Sequence, residues 1–570
     1  MANIRFSLQS LQTAVEKTSA EFQSSKIIAR LWQKNYIIWR SEEVHKKSIL
    51  NRLGWLRSVE LMQTRVYELT AFGQEIKNAG FTHVVVLGMG GSSLCPDVCR
   101  ATFGSAKGFP QLLVLDSTNP TSVKRIENGI TLVSTLFIVA SKSGGTTETN
   151  MFYKYFYDRV GTVKANAGEN FIAVTDPNTQ MERIAIEKKF RKIFLNPEDI
   201  GGRYSALSYF GLVPMALIGM DVKNVLASAA NEMRACMNET LSENSTACIG
   251  IAMAEAFKAG KDKLTFVASH SIATFSYWAE QLIAESTGKE GKGIVPIEGE
   301  VFSSESPASM FSKDRMFVFL LLNNEKEKFS FLQAKLNELG LPFIEVQLEN
   351  EYELGGEFFR WEFATAVAAV VMNINPFDEP NVKESKDNTV RVIEEFKTNG
   401  ALPKKTPFAS DAHIQLFGET KYVATVQSKA KNTSTTELLK THCAGLPAHD
   451  YVAILAYIDQ NESNARALYS LREKITTATG CVSTVGFGPR YLHSTGQLHK
   501  GGDRNGIFLL LTADEPTDVA IPSEPFSFEV LKNAQGLGDY LSIASRDYRL
   551  LHVHLGKDIE QGLNTLLSMY

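Results

Sequence analysis

The sequence predicts an α/β protein built of parallel β-sheets flanked by helices. Two observations predict it. Short apolar runs recur between residues 84 and 195; they close on polar or glycine-rich turns and alternate with stretches able to form helices. The same rhythm returns between residues 264 and 346. With 44% hydrophobic and 21% charged residues, the chain has apolar side chains enough for several cores.

The elements follow in order. Residues 1–75 read as a polar helical segment whose Trp32, Trp39 and Trp55 pack on a neighbour. Residues 76–235 form a first domain with strands Val84–Leu87, Leu112–Leu115, Leu136–Ala140, Phe171–Val174 and Ile193–Leu195. Residues 236–570 form a second, with strands Leu264–Ala268, Met316–Leu322 and Phe343–Val346 and a helical stretch Ile272–Ser286. Around 400–410 the chain reads as a connection. Beyond it a C-terminal extension offers strands at Tyr451–Ile458, Val482–Gly486, Ile507–Leu511 and Leu550–Leu555. Two α/β units facing each other, with extra C-terminal structure, are expected.

Composition narrows the function. A net charge of −4 without a long run of one sign gives no reason to expect nucleic acid or an anionic membrane as partner. No apolar run approaches the roughly 20 residues of a membrane span, and the polar N-terminus shows no secretory signal. Six scattered cysteines without a CxxC pair argue against a disulfide scaffold or a zinc site and suit a reduced, cytoplasmic protein. His552 and His554 alternate on a strand; without a third ligand nearby they read as sharing one strand face rather than holding a metal.

Two loops suit an anion. The first strand runs into Gly88-Met89-Gly90-Gly91-Ser92-Ser93, where glycines let the backbone approach a ligand and the next helix presents free amides. Asp116 ends the next strand, as in a dinucleotide site, but Ser93 stands where the third glycine of that fingerprint belongs. The third strand runs into Ser141-Lys142-Ser143-Gly144-Gly145-Thr146-Thr147-Glu148-Thr149, which offers hydroxyls, one fixed charge and amides for a phosphate, or reads as a capping loop. Gly201-Gly202-Arg203-Tyr204-Ser205 can bring an arginine to a developing oxyanion, or leave it on the surface beside a turn. Gln281 and Glu285 share a helix face, with Gly288 as the helix stop. A glutamate there serves as general base if it opens on a cleft, and is a solvated surface group otherwise. His493 and His499 lie in a glycine-bounded loop.

Taken together, Gly88–Ser92, Ser141–Thr149, Gly201–Ser205, Gln281–Lys289 and Asn375–Lys386 resemble the motifs of the phosphoglucose isomerase family. The likeness is greatest to the isomerase part of transaldolase/phosphoglucose isomerase fusions. The resemblance implies two sugar isomerase domains and interconversion of glucose 6-phosphate and fructose 6-phosphate through a cis-enediol, without metal or cofactor. It implies that Gly91, Ser92, Ser141, Lys142, Ser143, Thr146 and Thr149 hold or flank the phosphate and that Gln281 contacts the sugar. Arg203 would stabilise the enediolate, Glu285 move the proton, and Lys386 assist ring opening. It also implies a cytoplasmic homodimer whose ring-opening histidine comes from the partner subunit, with a transaldolase activity as partner or fusion.

Two departures from the family pattern stand out. Glu379 occupies a glutamine position and adds a negative charge near a phosphosugar. No histidine lies between Glu285 and Lys386; the similar stretch comes later, at His493–His499. A second domain rearranged in chain order, running Glu285, Lys386, His493, is therefore expected, since catalysis needs geometry rather than sequence position. The rival readings are a non-catalytic phosphosugar-binding regulator, a glucosamine 6-phosphate synthase and a nicotinamide-dependent oxidoreductase. A regulator would show one such domain with a helix-turn-helix, and the synthase an N-terminal nucleophilic cysteine.

Overall fold

The computed structural model describes residues 3–569. It contains three sheets. The first has five parallel strands, Gln111–Leu115, His83–Gly88, Thr135–Ala140, Phe171–Thr175 and Lys192–Leu195, in that spatial order. Val84 and Val86 pack into one core and Val85 and Leu87 into another, so the strand His83–Gly88 is buried on both faces. The spatial order reverses between His83–Gly88 and Thr135–Ala140. Open α/β sheets hold ligands at such a switch point, and both candidate phosphate loops leave from these two strand ends.

The second sheet orders Asn3–Ser7, Phe343–Leu348, Arg315–Leu322, Lys263–Ala268 and Val295–Ile297. All pairs are parallel except the first. The segment 1–75, expected to be helical, thus opens with a strand. Ile4 and Phe6 pack on the main core while Arg5, on the other face, pairs with Glu345 at 2.6 Å. Five residues are too few to show a period, and their partner strand lies some 340 positions away.

The remaining strands form a sheet of their own. Tyr451–Tyr457, Val482–Phe487, Gly506–Thr512 and Arg549–His554 are parallel, and the short strands Gln415–Phe417 and Ala409–Ser410 close one edge antiparallel. Residues 236–570, read from sequence as one domain with an extension, therefore hold two sheets. Every long strand expected there is present; apolar runs do not say which sheet they join. The expected α/β class with parallel sheets and flanking helices holds throughout.

Helix Leu354–Met372 is buried nearly all round and packs between Val222–Cys236 and Ser245–Lys258. No helix among the described residues is long and apolar enough to cross a membrane. Helix Val382–Asn399 lies against Phe528–Ala544 from the third unit. Gly538 permits that approach: a Cβ there would sit 2.6 Å from Thr389 Oγ1 and 2.9 Å from its amide nitrogen.

Candidate active site

The first glycine loop meets the Gly201-Gly202 turn backbone to backbone. A Cβ on Gly91 would fall 1.9 Å from the carbonyl oxygen of Gly202, so only glycine fits there. The contact opens a cleft of about 260 Å³ lined by Gly91, Ser92, Arg203, Glu285, Lys386 and His493. Residues from all three sheet units thus reach one place.

Arg203 is 4% exposed and every arm is engaged. Its Nε donates to Ser286 Oγ at 2.9 Å, and Nη2 to the carbonyls of Pro376 at 2.6 Å and Asp378 at 3.0 Å. Nη1 stands 3.1 Å from Glu379 Oε2 and 3.5 Å from Glu285 Oε2. The substituted glutamate is therefore paired. Burial alone would raise the Glu379 carboxyl; the Arg203 charge and hydrogen bond outweigh it and hold it below the usual range. Glu285 behaves oppositely. Burial raises its pKa, the Arg203 charge opposes this, and the nearby Glu379 charge adds to the rise.

Glu285 lies one turn after Gln281 on helix Phe275–Thr287. Gln281 Nε2 donates to Glu285 Oε2 at 3.3 Å and to the His493 carbonyl at 2.7 Å, and its buried Oε1 has no partner among the described residues. His493 ends the short helix Arg490–His493 beyond strand Val482–Phe487. Its Nε2 lies 3.2 Å from Glu148 Oε1. Gln535 Nε2 donates to the same oxygen at 2.7 Å. Burial would raise Glu148, but His493 and Lys386 outweigh it and the carboxyl sits below its usual range. Lys386 is exposed at the cleft and forms no ion pair among the described residues.

Ser92, Lys142, Ser143 and Thr146 of the two anion-suited loops line the cleft. Ser141 and Thr149 do not reach it: Ser141 Oγ is bonded to Thr146 Oγ1 at 2.9 Å, and the buried Thr149 hydroxyl is unpaired among the described residues. Lys142 Nζ is paired with Asp176 and donates to the Glu198 carbonyl at 2.8 Å.

Sequence reasoning passed over two residues. Glu148 stands inside a quoted motif, yet an acid in a helix's first turn reads as a partner of the helix dipole. Arg52 adds a cation from the N-terminal segment, where no motif surrounds it. His493 lies in the same chain's cleft as Glu285, whereas the family pattern implied the partner subunit's histidine.

Residues 62–312 match the family model of phosphoglucose isomerase. Over these residues the chain is similar to that family. A glucose-6-phosphate isomerase of Methanocaldococcus jannaschii is 27% identical over 351 residues, covering 55% of this chain and 85% of that protein. A probable glucose-6-phosphate isomerase of Methanococcus maripaludis is 23% identical over 408 residues, 65% of this chain and 90% of that one. Among solved structures, a hypothetical protein of Thermus thermophilus superposes with TM-score 0.58 at 20% identity, over 69% of this chain and all of the other. A glucose-6-phosphate isomerase of Chlamydia trachomatis gives TM-score 0.53 at 19% identity, over 59% and 74% of the two chains. These likenesses show the fold. The phosphoglucose isomerase match ends before Lys386 and His493, which only tertiary structure brings to the cleft.

Proposed function

We propose that this chain interconverts D-glucose 6-phosphate and D-fructose 6-phosphate, with the phosphate held by Ser92, Lys142, Ser143 and Thr146. The carrying observation is that buried Glu285, paired with Arg203, and His493, backed by Glu148, line one cleft. Gly91 and Ser141 shape the phosphate loop, Thr149 supports it from beneath, and Gln281 contacts the sugar.

In the closed ring, a proton must leave the C1 hydroxyl and one must reach the ring oxygen. His493 and Lys386 handle this pair, and Glu148 keeps the imidazole oriented. In the open chain Glu285 takes the proton from C2 and returns it to C1. Arg203 stabilises the negative enediolate oxygen between those steps; a fixed guanidinium needs no reorganisation as charge develops. A base near the ordinary carboxylate pKa would be weak here, and burial strengthens it.

The same reading makes the enzyme a cytoplasmic homodimer able to work beside a transaldolase activity. The test is a coupled assay with fructose 6-phosphate, with and without EDTA. Turnover should survive the chelator. Glu285→Gln should lower kcat by about 10²–10⁴-fold while sparing sugar-phosphate binding, since it removes general-base catalysis. Binding without turnover in the unaltered protein would favour the non-catalytic phosphosugar-binding reading.

A further inference from the structure

The third sheet unit carries a cavity that the cleft does not use. An open pocket of about 420 Å³ is lined by strands Gly506–Thr512 and Arg549–His554, helix Phe528–Ala544 and the connection Leu402–Lys405. That volume suits a small molecule, and the carboxyl ends of parallel strands are where such sheets hold one.

One wall is aromatic. His552 stacks on Phe417 with centroids 5.0 Å apart and planes 24° from parallel, and Tyr540 lies 6.0 Å away. Lys405 covers Tyr540, its Nζ 4.0 Å from the ring centroid, and is held there by Glu419 at 2.9 Å. The other wall is polar. Thr512 Oγ1 bridges His552 Nε2 at 2.7 Å and His554 Nδ1 at 2.9 Å, and Asp514 Oδ1 lies 3.4 Å from His554 Nε2. Burial pushes His552 down to about 3 and lowers His554 as well, so both rings are neutral near pH 7. Asp514 favours a proton on His554 Nε2. The single Thr512 proton then goes to His554, and His552 Nε2 donates to Thr512. His552 Nδ1 is left as an acceptor. Asn533 lines the cavity and makes no side-chain hydrogen bond among the described residues; Lys404, exposed at the rim, forms no ion pair among them.

We propose that this cavity is a second binding site for a planar heteroaromatic anion of the nucleotide class, coupled to the isomerase cleft through helix Phe528–Ala544. The aromatic wall stacks the base once Lys405 swings away. His552 and Asn533 hydrogen-bond its edge, and Lys404 meets its phosphate. Asn533, Leu537 and Tyr540 of the helix face the cavity, while Gln535 of the same helix holds Glu148. Thr118 donates to Gln535 Oε1 at 2.7 Å and thereby fixes the amide with its NH₂ toward Glu148. A ligand that shifts this helix changes the support of His493; the coupling, unlike the binding, rests on the isomerase reading.

Adenosine monophosphate is the probe, measured by titration calorimetry on the full chain, with adenosine and inorganic phosphate as separate arms. Saturable binding of the nucleotide should persist under saturating fructose 6-phosphate. Lys404→Glu should weaken it at least five-fold with little change for adenosine. Asn533→Leu should weaken both. Neither variant should change basal turnover. Affinities of nucleotide and fructose 6-phosphate should shift each other by equal factors, as linkage requires, and Gln535→Leu should abolish that shift. No saturable nucleotide binding, displacement by fructose 6-phosphate, or indifference to both substitutions overturns the site. Binding without any mutual shift overturns the coupling. Nucleotide binding with the expected variant pattern in a chain that lacks turnover leaves the site standing and removes the isomerase reading instead.

Discussion

Arg203 divides one edge of its guanidinium between Glu285 and Glu379, and on the proposed isomerase reading that division tunes the base. The raised Glu285 must lose its proton before it can act. The acidic limb of the kcat/KM profile should therefore lie above the ordinary glutamate pKa of about 4.3. Glu379→Gln removes a charge that raises Glu285 and frees Arg203 to favour the ionised base. The limb should move to lower pH, and an unmoved or raised limb would exclude Glu285 as the titrating base. On the same reading Lys142 holds the phosphate, away from the reacting carbons. Lys142→Ala should raise KM more than it lowers kcat, because phosphate contacts are largely uniform binding. Steady-state kinetics at several phosphosugar concentrations will decide, and a collapsed kcat with constant KM would remove Lys142 from the phosphate end.

At the scale of elements, the unit of the third sheet carries buried histidines whose acid sensitivity the other two lack among the described residues. His442 and His499 are buried in it and both are pushed down to about 3 by burial. His442 is bonded to Tyr422 at 2.7 Å and to the Phe508 carbonyl at 3.2 Å; His499 meets Tyr451 at 3.0 Å, and its Nε2 has no partner among the described residues. The unfolded chain, with histidine near 6.5, binds more protons than the folded one between about pH 3 and 6.5. Stability is thus complete above pH 6.5. It falls below that by up to about 1.4 kcal/mol per pH unit for each histidine. Hydrogen exchange at pH 7 and pH 5 should show protection lost first in strands Tyr451–Tyr457 and Gly506–Thr512. Equal loss in all three sheets would contradict this assignment.

At the scale of the whole molecule, Glu285, Arg203 and His493 meet in one cleft of a single chain. Glu285 comes from the unit of the second sheet, Arg203 and Glu148 from the first, and His493 from the third. A mixture of Glu285→Gln and His493→Ala subunits, co-expressed or reassembled, should therefore remain as inactive as either alone. Recovery of activity would mean that one subunit lends its histidine to another, whatever the oligomer.

The α/β class, the long strands and the two glycine- and hydroxyl-rich loops that reach the cleft were legible in the chain itself. Buried parallel strands must be apolar on both faces, as Val84–Leu87 are, and a loop that approaches an anion needs glycine and hydroxyls in consecutive positions. Glu285 and Arg203 were legible because each sits in a short contiguous motif. The strand Asn3–Ser7, the separate third sheet, Arg52 and the Glu148–Gln535 contact were not. Each depends on a partner hundreds of residues away, and local patterning carries no record of which distant backbone edge or carboxylate a side chain will meet. His493 stands between the two cases. Its absence from the Glu285–Lys386 interval was visible in the sequence, but only the packing of the third sheet against the first two decided that it faces Glu148 from the same chain.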